Sequence, residues 1–437
     1  MPNCTQASHD FPALSRKKIQ AQFNGGEISS DGGVLLLREA DRRLNLMKAI
    51  DQVIPDPRDA RYIEHTQLSL LRQRVYGLAL GYEDLNDHQS LRGDPALQTA
   101  VDQEDDLGSP PTLCRLENRA NRQAAVAMHQ VIVDQFIDSF ETPPEALTLD
   151  FDATDDPLHG EQENRFYQGY YRCYCYLPLY VFCGDRLLVS YLRPSNIDGA
   201  KHAWAILALL VKRLRQSWPQ VKITFRGDSG FCRHRMLSWC ERHNVDYIVG
   251  MAKNARLLKA IAAEMAAIEQ QFAQTRQACR QFKTFQYGAR AWQKKRTLIG
   301  KAEHLSQGAN PRFIISTLEG DAQHLYEKIY CARGDMENRI KEQQLGLFAD
   351  RTSCHHWWPN QLRLLLSSLA YILIESIRRV GLKGTQWVRA QVNTVRLKFL
   401  KVGAVILRNT RRIRFLLSEN YPNQDTFFLI ARQLQTQ

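Results

Sequence analysis

ITFRGDSGF, Ile223–Phe231, reads as a strand that runs out into a tight turn with an aspartate at its lip. Asp caps its own backbone in such a turn and Gly supplies positive φ, so Asp-Ser-Gly is good turn chemistry with no further purpose required. Whether Asp228 has one depends on what else the chain brings to the same place. In ALTLDFDAT, Ala146–Thr154, Leu147, Leu149 and Phe151 alternate with Asp150, Asp152 and Thr154, the period-two pattern of a strand with one face in a core. Each stretch delivers a carboxylate near its C-terminal end. Neighbouring strands lie about 4.8 Å apart, so Asp152 and Asp228 can share a ligand if the two strands pair. Two close carboxylates repel unless a proton or a cation lies between them. Oxygen donors alone suit a hard divalent ion, Mg²⁺ or Mn²⁺.

A third donor should come from a helix packed on that sheet. YCARGDMENRIKEQ, Tyr330–Gln343, supplies a candidate, with Arg333, Glu337 and Lys341 at i, i+4 and i+8 along one helical stripe. A surface ladder of salt bridges has the same spacing, so spacing alone leaves a catalytic and a structural reading open.

From about Gly32 to Phe140 the apolar spacing is helical. HTQLSLLRQRVYGLALG ends at Gly81, which predicts a C-cap. SPPTLCRLENRANRQAAVAMHQVIVDQFIDSF opens on prolines suited to a first turn and is expected as one helix, with Arg115, Arg119 and Arg122 on one face. That face is either solvated or a grip for phosphates. Beyond Pro143-Pro144 strands are expected in YRCYCYLPLYVFC and RLLVSYLR, joined by a hairpin at Gly184-Asp185, and in VKITF and DYIVGMA. Helices are expected in DGAKHAWAILALLVKRLRQSW, near RMLSWCERHN, and from Arg256 to Thr275. Three strand-like pieces between about Gln281 and Leu318 precede the helix LYEKIYCARGDMENRIKEQQLGLF. An apolar helix from about Asn360 to Val380 and a hairpin in KVGAVILRNTRRIRFLL follow.

At 437 residues the chain exceeds one average domain, and its 44% apolar and 24% charged residues are those of an ordinary globular protein. Ten cysteines without a paired C-x-x-C spacing read as reduced core thiols rather than a zinc site. MPNCTQASHDF lacks the pattern of a signal peptide, and LLLSSLAYILI is too short to span a bilayer. A cytoplasmic protein without a membrane partner is expected. The net charge of +12 is concentrated: Ser376–Ser418 holds eleven Lys or Arg and no acid, among them Arg411, Arg412 and Arg414. A stretch of one sign favours a polyanion partner, and nucleic acid fits better than a membrane surface because no clean amphipathic helix accompanies it.

Together LDFDATDD, HGEQE, FRGDSGF and YCARGDMENRIKE resemble the DDE transposases of bacterial insertion sequences, most closely the insertion-sequence 1380 family. The resemblance extends from DGGVLLL and GYEDLNDHQSLRGDP to RNTRRIRFLL. It implies an RNase H-like α/β core, a mixed sheet flanked by helices with a β-rich insertion at about 281–318 before the last catalytic helix. It implies a helical N-terminal DNA-binding module at 1–145, the core at 146–358 and a basic C-terminal extension at 359–437. The acids carry over to Asp152, Asp228 and Glu337 as ligands of two Mg²⁺ ions, with Mn²⁺ as a substitute; Asp150 is the alternative first ligand. The signature of Tyr, two residues, Arg, three residues and Glu fits Tyr330, Arg333 and Glu337. Its lysine seven residues further on is Gln344 here, and Lys341 is the substitute. The implied activity is cutting and joining DNA at terminal inverted repeats and target sites, by a homodimer associated with the nucleoid. A DNA-binding regulator or a catalytically decayed transposase is the rival reading; it accounts for the basic tract but not for three aligned acids.

One expectation is narrower. In several cut-and-paste transposases of this architecture a tryptophan in the β insertion stacks on a base flipped from a DNA hairpin. Trp292, in ARAWQKKR, holds the corresponding place. The alternative is a core residue of the insertion.

Overall fold

The computed structural model describes residues 8–436. The chain divides into two compact units: one combines the residues up to Arg119 with those from Leu369 onward, and the other runs from Ala120 to Ser368. The sequence predicts three consecutive segments, 1–145, 146–358 and 359–437; the structure instead joins the two ends of the chain. Strand pairing is the reason. Ile28 and Ser29 pair antiparallel with Val405 and Ala404, in a sheet whose third strand is Arg412–Leu417. Gly32 and Gly33 donate their N–H groups to the carbonyls of Val402 and Leu400 at 2.8 and 3.1 Å. A Cβ on Gly33 would meet the Phe399 carbonyl oxygen at 1.9 Å, so this approach of backbone to backbone requires glycine.

In the same unit the helix Gln67–Leu80 starts at Thr66, whose hydroxyl accepts the Ser69 N–H at 3.1 Å, and ends as expected at Gly81 with φ +100°. The next segment departs from expectation. Two helices, Pro110–Asn118 and Arg122–Asp138, replace the single one. The Asn121 side chain accepts the Ala124 N–H at 2.9 Å and starts the second helix afresh. Arg115 therefore lies on the first helix, Arg119 caps its C-terminal end, and Arg122 opens the second. The hairpin at Ala404–Asn409 and Arg412–Leu417 forms as predicted, whereas the exposed N-terminal hairpin of Ser8–Leu14 and Lys17–Gln22 had no sequence expectation.

The second unit is built on a mixed sheet. Its strands run in the order Cys279–Tyr287, Arg296–Leu305, Arg312–Ser316, Asp246–Met251, Lys222–Gly227, Ala146–Ala153, Leu179–Cys183 and Arg186–Tyr191. Lys222–Gly227 is parallel to both of its neighbours, and the other pairings are antiparallel. Leu147, Leu149, Phe151, Ile223 and Phe225 face a core closed by Leu207, Leu210 and Leu214 of the helix Ala203–Ser217. The Gly184 hairpin forms as expected. YRCYCYLPLYVFC splits, however, at Leu177-Pro178, because Pro cannot donate to a ladder; Cys173–Tyr176 joins a small sheet with Asp156–Pro157 and Phe166–Gln168. Arg256–Thr275 likewise breaks, into Ala255–Ala260 and Ala262–Thr275.

The strands between Cys279 and Ser316 are not a separate insertion. They widen the main sheet, with Arg312–Ser316 pairing directly on Asp246–Met251. The helical stretch after them, Ala322–Gly346, has wide π-type turns at Leu325–Tyr330 and Glu342–Gly346, flanking a tight turn at Cys331–Arg333 and the regular segment Gly334–Lys341. Among the described residues no helix is long and apolar enough to cross a membrane.

Candidate active site

Strand register builds the site. Arg226 pairs with Asp150 and Gly227 with Phe151 across two parallel strands, so the next positions, Asp152 and Asp228, emerge side by side at the C-terminal ends. Asp152 Oδ1 accepts the Ala153 N–H at 3.0 Å. Asp228 Oδ1 accepts the Gly230 N–H at 2.8 Å, which is the Asx turn legible in Asp-Ser-Gly. Asp228 is thus both the turn residue and one of the candidate acids.

Asp150 lies two positions back on the same strand and is engaged elsewhere. It is 2% exposed. Arg226 donates to both of its carboxylate oxygens, Nη2 to Oδ2 at 2.8 Å and Nε to Oδ1, and reaches the Ile329 carbonyl with its remaining nitrogen. Sequence reasoning passed over Arg226, although it stands opposite Asp150 as soon as the two strands are paired.

Glu337 enters from the segment Gly334–Lys341, and Arg333 links it to the strand acids. Arg333 Nη1 lies 3.6 Å from Asp152 Oδ2, while Nη2 donates to Glu337 Oε1. Burial pushes Asp152 up, to about 7; Arg333 opposes the rise, and Asp228 and Glu337 add to it. Burial works against the charge of Arg333, but Asp152, Glu337, Tyr330 and Asp228 outweigh it and hold the guanidinium above its ordinary value.

The donors decide what this cluster can hold. It offers carboxylate oxygens only, with more negative charge than one arginine offsets, and the proton on Asp152 persists to about pH 7. A hard divalent cation satisfies those groups. Among the described residues one set of three His, Cys, Asp or Glu donors lies within 4.8 Å of one another, the exposed Glu163, His355 and His356. There Glu163 accepts the Trp357 N–H at 2.8 Å and faces His356 Nδ1 at 3.1 Å. The acids of the main sheet stand wider apart, with Arg333 among them.

A family model described as "Transposase DDE domain group 1" matches residues 11–437. The chain belongs to this family of DDE transposases. It is an enzyme that binds DNA, cleaves it and transfers strands, and its family works with divalent metal ions. No curated protein matches it. Among solved structures the transposase is similar to the piggyBac transposase synaptic complex with hairpin DNA, at 14% identity and TM-score 0.43, over 84% of this chain and 80% of that one.

Of the other predicted residues of the transposase, Tyr330 stays beside Arg333 and Asp228 and the rest scatter. Lys341 is exposed one turn beyond Glu337, and Gln344 donates to the Asp155 carbonyl at 2.9 Å. Tyr330 packs on Tyr326, with ring centroids 5.6 Å apart. Trp292 is displaced from the acids by sheet direction. The acids sit at the end of the sheet where Met251 faces Phe313 and Phe313 faces Gly300. The Trp292 turn joins Tyr287 to Arg296, four residues further down that strand, or about 13 Å at 3.3 Å per residue. It lies at the opposite end of the sheet, half-buried, edge-on to Tyr287 and under the Arg296 guanidinium. Of the two readings of Trp292, this geometry is that of a packing residue.

Arg119 donates to Asp56 at 2.6 Å, and Asp56 also holds Arg58. Arg115 is exposed, and with Arg119 it lines a cavity of about 470 Å³. Arg411, Arg412 and Arg414 are exposed at the tip of the C-terminal hairpin, where the Asn409 side chain accepts the N–H groups of Arg411 and Arg412.

Proposed function

We propose that the chain is the transposase of a bacterial insertion sequence of the 1380 family, which binds the terminal inverted repeats of its element, excises it and inserts it into target DNA. Asp152, Asp228 and Glu337 are the catalytic acids and hold a pair of Mg²⁺ ions, for which Mn²⁺ substitutes. The observation that carries this reading is the emergence of Asp152 and Asp228 from adjacent parallel strands, with Glu337 tied to the same Arg333 as Asp152. The buried Asp150–Arg226 pair supports Asp152 over Asp150 as the first ligand.

An RNase H-like core is supported by the strand order. Counted along the chain, the third, second and first strands lie side by side antiparallel, and the fourth and fifth follow parallel to the first. The unit from Ala120 to Ser368 is the catalytic core, and the other unit carries DNA-binding surfaces.

Bound divalent ions would supply Lewis-acid stabilisation of charge on the attacking and leaving oxygens. The chain's own residues do the rest. Asp152 and Glu337 fix the donor set from strand and helix. Arg333 offers a planar, always-charged fork for phosphate oxygens. Lys341, without an ion pair among the described residues, adds positive charge one turn away, and the Tyr330 hydroxyl offers a hydrogen bond beside the turn that carries Asp228. Arg411, Arg412 and Arg414 hold backbone phosphates, and Arg115 and Arg119 contact the terminal repeat. Two copies pair the two ends as a homodimer, at the nucleoid in the cytoplasm.

The test is incubation of purified protein with DNA carrying the element ends, with and without Mg²⁺, mapping the cut positions. Cuts at the element boundary that need Mg²⁺ are expected. Binding without divalent-dependent cutting would sink the reading.

A further inference from the structure

Glu163, His355 and His356 form a cluster that the reading of the acids leaves unused. Glu163 sits in the loop at 158–165, between the short strands Asp156–Pro157 and Phe166–Gln168. The histidines lead into the helix Trp357–Ser376, and His356 is 193 positions from Glu163 in the chain. Backbone nevertheless ties the two segments. The Glu163 N–H donates to the His355 carbonyl at 2.8 Å, and the Glu163 carbonyl accepts the Tyr176 hydroxyl at 2.6 Å. The neighbouring Gln162 side chain donates to the Thr352 carbonyl at 3.2 Å. From the other side the buried Asn360 clamps the histidine segment. Its Oδ1 accepts the Cys354 N–H at 2.9 Å, and its Nδ2 donates to the Cys354 and His356 carbonyls at 2.7 and 3.2 Å. The fold therefore fixes the backbone from which three exposed side chains project.

Those side chains converge. One donor atom from each lies within 4.8 Å of the other two. His356 Nδ1 is already 3.1 Å from Glu163 Oε1, while Glu163 Oε2 accepts the Trp357 N–H at 2.8 Å. The His356 bond first, and the Trp357 N–H after it, hold the Glu163 carboxyl below its ordinary value, so the group is an anion at neutral pH. That negative charge offsets the positive end of the helix dipole, which by itself opposes a cation at this place. Around a tetrahedral ion with bonds of about 2.0–2.1 Å, donors stand roughly 3.4 Å apart. Turning exposed side chains closes the remaining gap without moving the backbone. An ion would take the place of the proton shared by His356 and Glu163. The donor class selects it. Two imidazoles and one carboxylate suit Zn²⁺, whereas Mg²⁺ requires an octahedron of oxygens.

We propose that Glu163, His355 and His356 bind a Zn²⁺ ion, separate from the acids of the main sheet, that clips the loop at 158–165 to the start of the helix Trp357–Ser376. Three protein ligands leave the fourth position to water. A clip that closes so long a stretch of chain stabilises the unit from Ala120 to Ser368 and takes no part in cutting DNA.

The experiment is calorimetric titration of the full chain with Zn²⁺ in excess Mg²⁺, which competes at the oxygen-only acids and not at imidazoles. Joint His355→Ala and His356→Ala should bind one equivalent fewer than wild type. Glu163→Gln should hold that equivalent at least about tenfold more weakly, and Asp152→Asn should keep it. At a hundredfold excess over its dissociation constant, Zn²⁺ should raise the wild-type melting midpoint by roughly 5 °C and leave that of the double variant unmoved. Equal Zn²⁺ stoichiometry and affinity in wild type and double variant would overturn the proposal, as would a wild type that binds none. Loss of the equivalent in Asp152→Asn alone would place the ion on the acids instead. A wild-type midpoint that bound Zn²⁺ does not move would overturn the clip.

Discussion

Arg333 stands 3.6 Å from the Asp152 carboxylate and grips Glu337 with its other terminal nitrogen, so an internal cation already lies among the acids. A divalent ion entering the cluster competes with that guanidinium. A unit charge at about 4 Å is worth up to about 4 kcal/mol at an effective dielectric of 20, and the partly exposed Glu337 lowers this through screening. Arg333→Ala should bind Mn²⁺ at least roughly tenfold more tightly in the absence of DNA, measured by titration calorimetry. The same variant should cleave at least about a hundredfold more slowly, having lost its hold on phosphate. Unchanged metal affinity would mean that Arg333 does not compete.

Asp152→Asn, Asp228→Asn and Glu337→Gln should each abolish cleavage while leaving DNA binding within about twofold of wild type in a gel-shift titration. Asp150→Asn should behave otherwise. Leaving Arg226 buried without its partner costs about 3–5 kcal/mol, so the loss should appear in a denaturant melt, and Asp150→Asn with Arg226→Met should recover much of it. A fully stable but inactive Asp150→Asn, beside an active Asp152→Asn, would reverse the assignment.

The basic tract does two jobs, and substitutions should separate them. Arg396 donates to the Ala79 and Leu78 carbonyls at 2.8 and 3.2 Å, Lys401 pairs with Asp31 at 2.7 Å, and Arg408 pairs with Glu27 at 3.1 Å. These hold the unit together. Arg411, Arg412 and Arg414 point outward. Their joint change to Ala should flatten the slope of log affinity against log salt by up to about 3, at roughly 0.9 per phosphate contact, with little effect on stability. Arg396→Ala should do the reverse.

His88 is fully buried, and burial, helped by Arg74, lowers its pKa from 6.5 to about 3. The unfolded chain therefore takes up the proton first. The stability contributed by neutral His88 is complete above about pH 6.5 and is lost on acidification toward about 3, at about 1.4 kcal/mol per pH unit. Between pH 7 and 5 the urea midpoint of wild type should fall more steeply than that of His88→Gln. Parallel slopes would exclude His88 as the source.

Much of the site was legible because its signals are local. The alternation in ALTLDFDAT, the Asx turn at Asp228 and the spacing of Tyr330, Arg333 and Glu337 each lie within one short stretch of chain. What was illegible depends on partners far away in the chain. Nothing near Asp150 announces that Arg226 will neutralise it. Nothing in the Cys279–Ser316 pieces says that they will widen the main sheet and carry Trp292 to its far end. The break at Asn121 was a local signal outvoted by the helical spacing around it, and the eleven-cation tract hid which charges face inward.

The pairing of Ile28–Ser29 with Ala404–Val405 has a consequence for synthesis. A ribosome makes the whole of Ala120–Ser368 before the strand that completes the other unit exists. Domains generally fold as they emerge, so the half bearing the acids can mature while the first 119 residues wait for the last 69. A nascent or truncated product would then present the half bearing the acids without the half that closes last, and arrest of translation would decide which of the two is ever assembled.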